Sequence, residues 1–133
     1  MPIITVVDFM GTVEKEFTVE KGTKLLKALI DHGVDIVHTC GGKAKCTTCR
    51  VNIDEGTPKK ETLAQKERFQ KKVEIGLPQF SAPRIFMSCQ LLVEEDMQVS
   101  PSERFNSIIH DSIGKDTGDE ITPDPVWVDL DRE

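Results

Sequence analysis

The stretch "CGGKAKCTTC" (40–49) holds three of the chain's four cysteines, Cys40, Cys46 and Cys49, in a C-x5-C-x2-C spacing. The fourth, Cys89, follows after a further 39 residues, in "RIFMSCQ" (84–90). Two glycines, two lysines and one alanine fill the first interval. The start of the chain, "MPIITVVDFM" (1–10), lacks the charged head and apolar block of a secretory leader. No apolar run is long enough to span a membrane. The expectation is therefore an unprocessed, cytoplasmic protein with no membrane association. That compartment keeps thiols reduced, so four bunched cysteines point to metal rather than to two disulfides.

Four thiolates suit either zinc or an iron–sulfur cluster. Structural zinc usually takes two short Cys-x2-4-Cys knuckles, and this chain has one, Cys46 to Cys49. The longer arm from Cys40 suits a loop wrapped over something larger than one ion, such as a [2Fe-2S] core. Two ferric ions, two sulfides and four thiolates sum to two negative charges, and one added electron makes three. Such a site needs donors and cations beside it. Backbone N–H groups can provide the donors where glycine lets the main chain come near, as at Gly41 and Gly42. Lys43 and Lys45 bring positive charge, although exposed loop lysines need no such role.

The net charge is −6. Residues 1–110 balance with 15 acidic and 15 basic side chains, whereas residues 111–133 carry eight acidic and two basic. The acidity belongs to the tail, and no basic excess suggests nucleic acid. No nucleophile–base set, glycine-rich phosphate loop, or flavin or nicotinamide fingerprint is present, so the chain is not expected to be an enzyme.

Working outward, residues 3–9 and 12–20 read as two strands turned at Gly11 and Thr12, a half-buried hairpin with Val13, Phe17 and Val19 on one parity. Residues 22–33 read as a helix capped by Thr23 and closed at Gly33, with Leu25, Leu26, Leu29 and Ile30 on its apolar face. Residues 49–54 alternate as a strand that breaks at Gly56 and Pro58. Residues 62–72 read as a surface helix with a Thr62/Gln65 capping box. The apolar run 84–93 reads as a central strand, with residues 96–100 continuing it or pairing beside it. Beyond Ser100 no clear period remains. Ile108, Ile109 and Ile113 could form one docked helical turn, and 126–130 could form a short strand. A Trp among β-branched residues there favours docking over disorder.

"CGGKAKCTTCRV" (40–51) followed by "RIFMSCQ" resembles the [2Fe-2S] ferredoxins over roughly residues 1–100. The x5 loop is closer to the adrenodoxin and bacterial iron–sulfur-assembly branch than to the plant branch. The resemblance implies an α+β fold of the β-grasp, ubiquitin-like type: a mixed sheet with one packed helix. It implies one [2Fe-2S] cluster, with Cys40 and Cys46 on the outer iron and Cys49 and Cys89 on the inner. The loop's backbone donors would come from Gly41, Gly42, Lys43, Ala44, Lys45, Thr47 and Thr48. It implies a soluble one-electron carrier working between a ferredoxin reductase and an acceptor enzyme. A dedicated iron–sulfur component of an oxidoreductase complex is the alternative, and a structural zinc module a more distant one.

Three features depart from that family. The gap before Cys89 is somewhat long. Residues 59–74 carry six basic and three acidic side chains, where adrenodoxin-like members have an acidic docking helix. Lys66, Arg68, Lys71 and Lys72 are therefore candidates for docking, although charge runs on a helix are more often simply solvated. The third departure is the acidic extension, residues 101–133, which is expected to dock on the body or on a second chain in a homodimer. His38 reads as a solvated loop histidine, since a Rieske site would need two Cys-x-His pairings. Met87 reads as core, and His32 and His110 receive no role.

Overall fold

The computed structural model describes residues 1–8, 10–36, 48–102, 118, 120–121 and 124–130. Strands β1 (Ile3–Val7) and β2 (Val13–Thr18) form the expected antiparallel hairpin. Its turn is organised by Asp8, whose carboxylate accepts from the N–H groups of Met10 and Thr12, both at 2.9 Å. Gly11 follows at φ 84°. Ile4, Val6 and Val7 are buried, but β2 is almost wholly exposed, Val13 included. The half-buried reading of β2 thus fails at its start. β2 is the outer strand of the sheet, and its inner side is covered at the far end. There the His32 ring stacks on Phe17 at 3.9 Å.

Helix α1 (Leu25–Asp31) buries Leu25, Leu26, Ala28 and Leu29 in the core. It begins later than its sequence suggests, and Thr23 is not its cap. Thr23 and Lys24 instead form a two-residue strand, β3, and the Thr23 hydroxyl donates to the Glu20 carbonyl at 2.6 Å. The Leu25 N–H is satisfied by the Leu91 carbonyl at 2.9 Å, so a neighbouring segment does what a capping side chain would do. The other end closes as the sequence implies. Gly33 lies at φ 76°, its N–H bonds to the Ile30 carbonyl, and the Val34 N–H bonds to the Leu29 carbonyl. This is the paired bonding of a left-handed glycine cap.

The principal sheet has five strands in the order β2-β1-β8-β4-β6, where β4 is Arg50–Glu55, β6 is Ile85–Met87 and β8 is Met97–Pro101. β1 and β8 run parallel and the other neighbours antiparallel, which makes the sheet mixed. The expectation of one central strand over 84–93 is overturned. That run breaks into β6 at the sheet edge, a 3-10 turn at Ser88–Gln90, and β7 (Leu92–Val93), which pairs with β3. The centre belongs to β8, where Met97 and Val99 face Ile4 and Val6 across the parallel ladder. A continuous apolar run signals burial on both sides, but burial does not require an extended backbone.

A second helix, α2 (Leu63–Glu74), lies on the surface with Phe69 inserted against Phe80, ring centres 5.4 Å apart. It is preceded by β5 (Lys60–Thr62), which pairs antiparallel with β9 (Trp127–Asp129) from the C-terminal region. The Val126 carbonyl accepts the first N–H of α2, from Leu63, at 2.8 Å, and the Leu130 N–H reaches the Lys59 carbonyl at 2.9 Å. Further back, Ile121 is buried, and the Lys24 ammonium, itself 2% exposed, donates to the Glu120 carbonyl at 3.0 Å. The Lys60–Asp129 ion pair at 3.8 Å is exposed on both sides and adds little. Ile108, Ile109, Ile113 and His110 lie outside the described residues. Among the described residues no helix is long and apolar enough to cross a membrane.

Ile121 tests how far this C-terminal packing stabilises the body. Ile121→Ala should cost about 2–3 kcal/mol in urea unfolding. A loss below about 0.5 kcal/mol would mean that the side chain is not packed as described.

Candidate metal centre

Cys49 ends the segment that enters β4, and Cys89 lies in the 3-10 turn that leaves β6. Antiparallel pairing sets Arg50 opposite Met87. Just beyond that pair, Ser88 clamps the two segments. Its N–H and its hydroxyl both donate to the Cys49 carbonyl, at 3.0 and 2.7 Å. The result is a Cys49–Cys89 Sγ separation of 3.4 Å between residues 40 apart in sequence, both at most 1% exposed.

That distance is far beyond the ~2.05 Å of a disulfide bond. Two thiolates bound at about 2.3 Å to one tetrahedral metal centre stand about 3.8 Å apart. The pair is therefore close to the spacing of neighbouring ligands on one metal, and its donor set is the soft sulfur that zinc and iron–sulfur centres take. Burial disfavours isolated thiolates, so the arrangement suits a cationic metal core. Both cysteines belong to the buried apolar core that also holds Val51, Phe86 and Met87. Met87 is fully buried, in keeping with its reading as core.

Buried polar groups hold the far side. The Thr62 hydroxyl accepts the Gln65 N–H at 3.2 Å and donates to Gln90 Oε1 at 2.7 Å. Gln90 Nε2 lies 3.7 Å from Cys89 Sγ. Gln65 Oε1 accepts the Met87 N–H at 2.8 Å, and its Nε2 donates to Glu61 at 3.1 Å. Half of the expected capping box forms. Thr62 caps α2, but the Gln65 side chain turns to the edge of β6 instead of returning to Thr62. Sequence reading missed Ser88, Gln90 and Gln65 as site-building residues. One signal was available: Gln90 is an amide inside an otherwise apolar run, and a buried amide must find partners.

The other expected site residues separate clearly. Cys40, Gly41, Gly42, Lys43, Ala44, Lys45, Cys46 and Thr47 lie outside the described residues, as does His38. Thr48 is half-buried beside Cys49. Arg50 places its guanidinium 5.1 Å above the Phe80 ring, a cation–π contact. On α2, Lys71 is exposed and Lys66, Arg68 and Lys72 are half-buried. Among the described residues no three His, Cys, Asp or Glu side chains gather in a way that could hold a metal. What the described residues do bring together is the pair of buried sulfurs of Cys49 and Cys89.

Residues 9–94 match the model of the 2Fe-2S iron-sulfur cluster binding domain. The chain is 35% identical to rhodocoxin of Rhodococcus erythropolis over 98 residues, which cover 73% of this chain and 89% of that protein. It is 33% identical over 88 residues to one component of the Na(+)-translocating NADH-quinone reductase of Chlamydia felis, but spans only 19% of that polypeptide. Among solved structures, the ISC-like [2Fe-2S] ferredoxin FdxB from Pseudomonas putida JCM 20004 is similar with a TM-score of 0.61 and 25% identity. That similarity covers 80% of this chain and 97% of the ferredoxin. A chain of the covalent putidaredoxin reductase–putidaredoxin complex is similar with a TM-score of 0.57 and 31% identity, covering 77% and 99%.

The Cys49–Cys89 pair has a direct test. Cys49→Ala and Cys89→Ala should each lower bound iron and acid-labile sulfide at least tenfold, with loss of visible absorption. Wild-type loading in either variant would remove that cysteine from the ligand set.

Proposed function

Because the chain belongs to the family of 2Fe-2S iron-sulfur cluster binding domains, we propose that it is a one-electron carrier between a ferredoxin reductase and an acceptor enzyme. The single observation that carries the reading is the buried Cys49–Cys89 pair, brought to 3.4 Å by the β4–β6 ladder and the Ser88 clamp. A bound [2Fe-2S] cluster supplies the redox chemistry, cycling by one electron. The chain's own residues hold it, exclude water from its inner side and present a face to partners. In this reading Cys40 and Cys46 complete the ligand set. The backbone from Gly41 through Thr48 supplies the N–H donors that offset the site's negative charge.

Similarity to putidaredoxin from a complex with its reductase supports a reductase as electron donor. Rhodocoxin, matched over nearly its whole length, supports a self-standing carrier. The NADH-quinone reductase relatives, of which this chain spans about a fifth, favour the second reading of a domain committed to one larger oxidoreductase. The carrier performs no substrate chemistry of its own and works in the cytoplasm. Lys66, Arg68, Lys71 and Lys72 on α2 form a basic docking face, so its partners present acidic surfaces, the reverse of the charge pairing of adrenodoxin-like carriers. The region beyond residue 100 acts as an extension of the body or as a contact between two copies.

Anaerobically purified protein should carry two irons and two labile sulfides per chain, and take up one electron per chain with a paramagnetic signal on reduction. Colourless protein with one zinc would sink the proposal. Charge reversal at Lys71 and Lys72 to Glu should slow reduction by a ferredoxin reductase several-fold at low salt, with the difference fading as salt rises. Equal rates at every ionic strength would remove α2 from the docking face.

A further inference from the structure

Gln90 follows Cys89, one of the proposed ligands, and is fully buried. We propose that Gln90, oriented by Thr62, is a positioning residue that eases reduction of the metal centre by donating its amide N–H to the sulfur of Cys89. The inference rests on the functional reading above and assigns a residue outside the cysteine set.

The orientation follows from counting donors. A threonine hydroxyl has one hydrogen to give. The Thr62 oxygen already accepts the Gln65 N–H at 3.2 Å, so its own hydrogen is directed to Gln90 Oε1 at 2.7 Å. With Oε1 held there, Nε2 faces Cys89 Sγ at 3.7 Å. The opposite flip would turn an amide N–H toward the hydroxyl and set a carbonyl oxygen against a thiolate, which is repulsive. The bonds therefore run one way, from Gln65 N–H to Thr62, from Thr62 to Gln90, and from Gln90 to Cys89. Such chains strengthen one another where the dielectric is low. Thr62, Gln65, Gln90 and Cys89 are all fully buried.

Thr62 is fixed from three directions, which makes it a firm anchor. It caps α2 through Gln65, it pairs with Trp127 across β5 and β9, and the next N–H, from Leu63, is held by Val126. A donor aimed at a ligand sulfur stabilises the more negative, reduced state more than the oxidised one. A residue there merely to satisfy buried polarity would stabilise both states alike and leave the redox equilibrium where it was.

Potentiometric titration of the purified, cluster-loaded protein separates these cases, with iron, labile sulfide and visible circular dichroism confirming an intact centre. Gln90→Leu should move the reduction equilibrium about tenfold toward the oxidised form, equivalent to about 60 mV for one electron. Thr62→Val should move it the same way by roughly threefold, because the amide loses the bond that orients it. Thr62→Ser, which keeps the hydroxyl, should return to within twofold of wild type. An intact Gln90→Leu protein within twofold of wild type overturns the inference while leaving the carrier reading standing. If Gln90→Leu does not load, the Thr62 variants decide: equal midpoints for Val and Ser overturn it. A wild-type protein with no one-electron wave overturns the carrier reading itself, and the inference with it.

Discussion

Two sulfurs 40 residues apart in sequence must meet at 3.4 Å inside an apolar core, and much of the described architecture serves that meeting. Neither cysteine lies on a regular stretch of the principal sheet. Cys49 precedes β4, and Cys89 sits in the turn that follows β6. Strand pairing alone would bring the two backbones to neighbouring-strand distance and leave the side chains to chance. The 3-10 turn swings Cys89 inward, and the doubled bond from Ser88 to the Cys49 carbonyl holds the swing in place. Sub-ångström placement of ligands comes from such rigid, paired elements more readily than from loops.

The same burial that protects the sulfurs makes every nearby polar group costly unless it is satisfied. Helix α2 answers that need. Gln65 reaches from its first turn to the Met87 N–H at the edge of β6, and Thr62 reaches Gln90. A surface helix thereby becomes part of the wall of the site, even though its apolar face is thin. The C-terminal segment extends the wall by pairing β9 with β5 and by accepting the first N–H of α2. Residues 127–129 are thus held on the body by backbone pairing with β5, and the Lys60–Asp129 ion pair beside it is exposed.

Local features are legible where their causes are local. The hairpin turn, the glycine stop of α1, the Thr62 cap and the alternation of β4 all follow from residue type and spacing within a few positions. Thr23 misleads because the groups that satisfy the start of α1 come from Leu91, far along the chain. The run 84–93 misleads because continuous apolarity reports burial without reporting direction, and the chain bends within it to place Cys89. Val13 misleads because parity cannot reveal that β2 is the uncovered outer strand. The cysteines stand out in the sequence as candidate ligands, but the Ser88 clamp and the bonds of Gln65 and Gln90 do not, because these are ordinary residues until the fold brings their partners to them.

By itself the amino-acid order determined which atoms can bind metal, which short segments extend or coil, and where the charge collects. Those properties depend on side-chain chemistry and on neighbours a few bonds away. Tertiary structure alone decided that β8 takes the centre of the sheet, that Cys49 and Cys89 stand as a pair, and that an amide on the next residue faces one of their sulfurs. Those relations rest on contacts between residues 22 to 93 positions apart, and they exist only once loop closure has been offset by shared burial.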